Sequence, residues 1–138
     1  MSPPSPSQQA VVYVFDASSL IELENPNRLS ILTGLRARIV VPYRVAKEVN
    51  TPGTALERWL SRNRQRVTPF LTTKEHELYY QFYTQTEPKI DDGEAAAMAV
   101  ALNRGATLVI DDNTARAKAE SHGIYCFGIN ELLNQALF

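Results

Sequence analysis

Short β-branched runs alternate with stretches of helical periodicity along almost the whole chain, and that alternation restricts the fold more than any other feature. Val11–Phe15, Arg38–Val41, Arg66–Leu71, Thr107–Ile110 and Ile124–Phe127 read as strands. Between them, Leu20, Ile21 and Leu23 recur at helical spacing, and Pro26 opens a second short helix through Leu35. Pro42 suits the first turn of a helix to Asn50, which Thr51-Pro52-Gly53 breaks. Thr54 with Glu57 three residues on forms a capping box for a helix through Arg62, and Thr72 or Thr73 caps Lys74–Gln85. Asp91 begins an alanine-rich helix through Asn103 that Gly105 ends, and Asn113–Ser121 and Asn130–Leu137 follow. Pro69 places its strand at an edge or interrupts its ladder. Strands separated by helices are joined by crossovers, so the expected class is α/β, a mainly parallel sheet sandwiched by helices.

In such a fold the chain segments that follow the strands gather along one edge of the sheet. Acidic residues are concentrated in those segments: Asp16 after the first run, Glu48 beyond the second, Asp92 and Glu94 opening the alanine-rich helix, and Asp111–Asp112 after the fourth. Taken singly, each has a bland explanation. Asp16, Asp91 and Asp112 all precede helices and can cap them, and Asp91 with Glu94 reads as a capping box. Glu48 lies about two turns into its helix, past the reach of the dipole; its own bland role is a pair with Arg44. Taken together, the acids present a different problem, because carboxylates about 4 Å apart repel by about 4 kcal/mol per pair at an effective dielectric near 20. A divalent cation offsets that repulsion, and Mg²⁺ or Mn²⁺ accepts an all-oxygen set without histidine or cysteine. Gly93 costs roughly 1 kcal/mol relative to alanine in a helix, which suggests a steric demand beside the acids.

The chain has 138 residues, enough for one domain with a core of its own. Residues 10–138 read as that domain, and residues 1–9, rich in proline and serine and uncharged, as a flexible tail that is neither a signal nor a transit peptide. Nothing approaches the apolar length of a membrane span. The single cysteine, Cys126, lies in an apolar run and reads as a small buried hydrophobe, consistent with a reducing, cytoplasmic setting. His76 and His122 lack partners for a zinc site and read as surface residues, and no glycine-rich phosphate loop is present.

The net charge of −1 conceals a polarised chain: Arg28 to Arg66 contains nine basic residues against two acidic ones. This is either a solvated basic face or a surface for a polyanion. Within it, Arg58-Trp59-Leu60-Ser61-Arg62-Asn63-Arg64 offers arginines for phosphates and an aromatic ring for stacking, although Trp59 serves equally as a core anchor. Leu78 and Phe82 should face the core, leaving Tyr79, Tyr80 and Tyr83 as an aromatic flank.

Four segments carry a family resemblance. Val14-Phe15-Asp16-Ala17-Ser18-Ser19-Leu20, Val41-Pro42-Tyr43-Arg44-Val45-Ala46-Lys47-Glu48-Val49, Gly93-Glu94-Ala95-Ala96-Ala97-Met98-Ala99 and Leu108-Val109-Ile110-Asp111-Asp112 with Ala115-Arg116 resemble, in order, the PIN-domain family, which includes the VapC-type ribonuclease toxins of toxin–antitoxin systems. The resemblance implies a three-layer α/β/α sandwich with about five strands and an acidic Mg²⁺ or Mn²⁺ site that hydrolyses RNA. It assigns catalytic roles to Asp16, Glu48, Glu94 and Asp111 or Asp112, with metal held by Asp16, Glu94 and Asp112 and with Asp92 as an alternative to Glu94. The family usually has an aspartate at the third acidic position, where this chain has the Gly-Glu-Ala form. Ser18 matches the small polar residue beside the first acid, and Ser18, Arg62, Arg64 and Arg116 are the candidates for substrate contact. The implied partners are RNA, an antitoxin protein docking near Trp59 and Tyr79, and a second copy in a homodimer. The alternative is a PIN-like scaffold that binds RNA or protein without catalysis.

Overall fold

The computed structural model describes residues 11–24, 28–35, 37–68, 72–85 and 89–136. The expected tail at residues 1–9 lies outside them, as do Pro26 and Pro69. Five strands, β1 (Val11–Phe15), β2 (Ala37–Pro42), β3 (Val67–Thr68), β4 (Thr107–Val109) and β5 (Cys126–Phe127), form one sheet in the order β3-β2-β1-β4-β5. Every pairing is parallel, with Val14 aligned to Val40 on one side and to Leu108 on the other. The helices are α1 (Ala17–Leu23), α2 (Leu29–Gly34), α3 (Tyr43–Val49), α4 (Ala55–Arg62), α5 (Thr73–Tyr83), α6 (Asp92–Arg104), α7 (Asn113–Ser121) and α8 (Ile129–Ala136). This is the α/β sandwich that the alternating pattern requires. Within the strand candidate Arg66–Leu71 the described residues form the edge strand Val67–Thr68, laddered with Val41–Pro42, and the candidate Ile124–Phe127 shrinks to Cys126–Phe127, laddered with Leu108–Val109. Residues 69–71 lie outside the described part.

The core is built on the central strand and on α6. Tyr13, Val14 and Phe15 of β1 are buried, as are Ile39 to Val41 of β2 and Leu108 to Ile110 at β4. Helix α6 is buried at Gly93 and from Ala95 to Ala101, and its run of alanines lets its backbone lie close against β1, β2 and β4 while α3 and α5 pack beside it. A buried charge fixes this helix from its far end. The Glu75 carboxylate, 0% exposed, accepts hydrogen bonds from Arg104 Nε at 2.9 Å, Asn103 Nδ2 at 3.0 Å and Thr72 N at 3.1 Å. Glu75 therefore completes the Thr72 capping box of α5 and holds the last turn of α6 at the same time. Burial pushes its pKa up, but the bonds from Arg104, Thr72 and Asn103 outweigh that and hold it below the ordinary glutamate value.

The capping box expected at Thr54 and Glu57 is half formed. Thr54 Oγ1 accepts from Glu57 N at 3.1 Å, whereas the Glu57 carboxylate reaches one residue further back to Gly53 N at 3.3 Å, where the chain turns with φ of +85°. Cys126 is buried and unpaired, and burial raises its thiol to about 11. His76 and His122 are exposed. Among the described residues no helix is long and apolar enough to cross a membrane.

The strand order sets the position of the acids. From β1 the chain moves outward to β2 and β3, then returns to the other side of β1 for β4 and β5. The carboxyl ends of β1 and β4 are thus neighbours at a topological switch point, where segments leaving the sheet in opposite directions leave a crevice.

Candidate active site

Asp16 follows the last residue of β1 and is 1% exposed. Its Oδ1 accepts from Ser19 N at 2.9 Å, capping α1, and its Oδ2 accepts from Ser18 Oγ at 2.8 Å. Ser19 Oγ in turn donates to Val109 O at 2.9 Å, tying the start of α1 to the end of β4. Burial raises the Asp16 pKa, the bonds from Ser19 and Ser18 lower it, and the charge of Asp91 raises it further; the net direction is upward.

Two more acids come from the N-terminal end of α6. Asp91 caps the helix, its Oδ1 accepting from Glu94 N at 2.7 Å. Glu94 is lifted from 4.5 to about 7, by burial first and then by Asp91, with Asp16 and Asp112 adding to the repulsion and the backbone N–H of Asp91 offsetting part of it. Glu48 reaches this helix from α3. Its carboxylate accepts from the backbone N–H of Gly93, and its pKa is raised by burial and then by Asp91, Asp92 and Asp16. A Cβ on residue 93 would lie 2.9 Å from Glu48 Cδ, so glycine is what allows the glutamate to lie against the helix. The steric demand inferred at Gly93 is the side chain of Glu48.

Asp112 caps α7 through Ala115 N at 2.8 Å, and its charge reaches Glu94. Asp111, one residue earlier, turns elsewhere: its Oδ1 accepts from Ile129 N at 3.0 Å, and it hydrogen-bonds to Glu22. That bond is the first cause of a raised Glu22 pKa, followed by burial and by the charge of Asp111. Asp92 takes its bonding partners outside the cluster, although its charge still reaches Glu48. It pairs with Arg44 Nη1 at 2.9 Å and accepts a short hydrogen bond from Tyr79 Oη, while the Arg44 guanidinium lies over the Tyr79 ring at 4.5 Å from its centre. Burial and then Asp92 push the Tyr79 hydroxyl up to about 12. The Arg44 partner is therefore Asp92, not the Glu48 four residues along the same helix.

The structure thus brings the charges of Asp16 and Asp112 to Glu94 and that of Asp16 to Glu48, and adds Asp91, which acts on Asp16, Glu48 and Glu94 alike and which the sequence marks only as a cap. Its one mark in the sequence is its place at the N-cap of the helix, three residues before Glu94. Among the described residues, no three acidic, histidine or cysteine side chains stand close enough to grip one metal ion as placed.

The candidate substrate contacts separate. Ser18 is hydrogen-bonded to Asp16. Arg116 is held by Glu120 at 3.0 Å, Glu131 at 2.6 Å and the carbonyl of Cys126 at 3.2 Å, so its guanidinium braces α7, β5 and α8. Arg62 and Arg64 are exposed but line different grooves, Arg62 with Arg58 and Trp59, Arg64 with Tyr43 and Lys47. Trp59 is buried in the core.

Residues 12–137 match the DUF3368 family, a PIN domain. Two solved structures of similar shape are a PilT N-terminus domain protein from the hyperthermophilic archaeon Sulfolobus solfataricus and PAE2754 from Pyrobaculum aerophilum. The first is 20% identical, with 92% of this chain and 94% of that chain covered and a TM-score of 0.60. The second is 19% identical, with 94% and 97% covered and a TM-score of 0.65. At these identities the likeness concerns the fold. No curated protein matches.

Proposed function

Because this chain belongs to the PIN-domain family, which includes nucleases, we propose that it is a ribonuclease that hydrolyses RNA phosphodiester bonds with Mg²⁺ or Mn²⁺. The observation that carries the reading is the set of carboxylates at the switch point: burial and mutual repulsion raise Asp16, Glu48 and Glu94 together. A hard dication relieves that repulsion, and the donors are all oxygens, so the residues fit such an ion by charge and by chemistry. Asp16, Asp91, Glu94 and Asp112 would hold it. When bound, the ion supplies positive charge that acidifies water and stabilises charge developing at the phosphate.

The chain's own groups supply the rest. Ser18 and Ser19 orient the Asp16 carboxylate through bonds of 2.8 and 2.9 Å. Glu48, anchored on Gly93 N–H and shifted upward, would take the proton lost by the attacking water. The role we assign to this activity is that of a cytoplasmic toxin in a toxin–antitoxin pair, acting as a homodimer.

Asp16→Asn tests the chemistry. It should abolish Mn²⁺-dependent cleavage of a labelled single-stranded RNA while the melting temperature stays near or above wild type; full activity in the variant rejects the assignment. Growth arrest on expression that depends on Asp16 supports the toxin role, and arrest-free expression of an active enzyme rejects it. A second reading, a non-catalytic RNA- or protein-binding scaffold, is favoured by one observation: Asp16, Asp91 and Asp112 already have structural work as helix caps. Such a scaffold gives no heat on titration with Mn²⁺ and no cleavage.

A further inference from the structure

Helix α3 presents different residues on different sides. Val45 and Val49 enter the core, Arg44 and Glu48 meet α6, and Tyr43, Ala46, Lys47 and Asn50 form a third stripe at i, i+3, i+4 and i+7. That third stripe is one wall of an open groove of about 450 Å³, closed on the other side by Leu60, Ser61, Arg64 and Val67. Among the described residues, no acidic one lines it. Lys47 and Arg64 are exposed, and among the described residues neither side chain makes an ion pair or a hydrogen bond. Tyr43, 53% exposed, has no ring neighbour among the described residues. Elsewhere the basic side chains near the acids are occupied, Arg44 by Asp92 and Arg116 by Glu120 and Glu131.

We propose that this groove between α3 and α4 is the track of a single RNA strand, with Lys47 and Arg64 on consecutive phosphates and Tyr43 stacked on an unpaired base. The inference rests on the ribonuclease reading and extends it, because α3 carries the groove on one side and Glu48 on another, so a strand lying in the groove has only to cross one helix to reach the acids. Charge selects the occupant. Two unneutralised cations and an open aromatic ring without any carboxylate suit a polyanion with exposed bases. Arg62, on the far side of α4 with Trp59, lies outside this track.

Fluorescence anisotropy of a labelled oligouridine in EDTA, which stops any cleavage, tests the groove apart from the chemistry. Against wild type, Lys47→Gln with Arg64→Gln should weaken binding and lower the slope of log K against log salt by about 1.4, since each single-strand phosphate contact contributes about 0.7. Tyr43→Ala should weaken binding about 5- to 100-fold with the slope unchanged. The same neutralisation at Lys74, outside the groove, should leave both quantities at their wild-type values. Wild-type affinity and slope in the Lys47/Arg64 variant overturn the proposal, and that is also the result expected if the groove receives a protein. A chain that binds through the groove yet cleaves nothing with Mn²⁺ loses the ribonuclease reading and keeps the groove. One that cleaves in an Asp16-dependent way while ignoring all three groove substitutions keeps the former and loses the latter.

Discussion

Glu94→Gln isolates the electrostatic cost of the acidic cluster. The Glu94 carboxyl lies at about 7 in the fold and at 4.5 when unperturbed, with burial the first cause and Asp91, Asp16 and Asp112 adding repulsion. At about 1.36 kcal/mol per pH unit, that difference corresponds to roughly 3 kcal/mol. The side chain is partly exposed, so solvent screening reduces the figure to roughly 1–2 kcal/mol. Because the folded value lies above the unfolded one, the fold enjoys this stability fully below about pH 4.5 and loses it as pH rises through about 7. Glutamine cannot ionise. In EDTA at pH 8 the variant should therefore melt roughly 3–8 °C above wild type, and at pH 5 the two curves should nearly coincide. Excess Mn²⁺ at pH 8 should raise the wild-type melting temperature and raise that of the variant less. Differential scanning calorimetry at the two pH values measures all of this. An equal difference at pH 5 and pH 8 would mean that the substitution acts through packing, and the charge argument would be refuted.

Asp91→Asn keeps a capping side chain, so stability should change by less than about 1 kcal/mol while Mn²⁺-dependent cleavage falls at least tenfold; wild-type cleavage would return Asp91 to capping alone. Gly93→Ala should lower cleavage by displacing Glu48, yet in a Glu48→Ala background the same change should stabilise by up to about 1 kcal/mol through helix propensity; urea melts that show the same sign in both backgrounds would remove the steric link. Glu75→Ala removes the acceptor shared by Arg104, Asn103 and Thr72 N and should cost about 1–3 kcal/mol, read as a lower urea midpoint. In the wild type this contribution is present above the unfolded glutamate value and is lost as pH falls through the depressed folded one, so wild type and variant should converge in acid.

The layout of the sheet was readable because parallel strands buried on both faces leave a simple mark: Val11–Phe15 and Thr107–Ile110 are apolar runs bounded by acids or glycine, and both became central strands. The edges were less legible. Strands of two residues, such as Val67–Thr68 and Cys126–Phe127, are defined by the neighbours they ladder with and hardly at all by their own composition. At the site, position along the chain identified which segments converge but not where each carboxylate turns. Asp92 and Asp111 each lie beside an acid of the cluster in sequence, and each is drawn away by a contact from elsewhere in the fold, Asp92 by Arg44 and Tyr79, Asp111 by the start of α8. No local pattern encodes those partners, because they lie 13 to 48 residues distant in sequence.

The sequence also set capping against chemistry as rival explanations for the acids, and the geometry removes the rivalry. Asp16, Asp91 and Asp112 stand at the N-termini of α1, α6 and α7, so each accepts a backbone N–H from the positive end of its helix. Glu48 takes a fourth such N–H, that of Gly93, from across the cleft. A set of like charges is difficult to fold unless each has a local stabilising partner in the absence of a cation, and a helix N-terminus provides one without bringing in a lysine or arginine that would compete with a metal ion. Capping is thus how this fold holds carboxylates at one sheet edge while leaving oxygen lone pairs open. It follows that substitutions retaining the cap, Asp16→Asn and Asp91→Asn, should separate fold from activity. The alanine variants at the same positions should lose both, by about 1 kcal/mol for each lost cap.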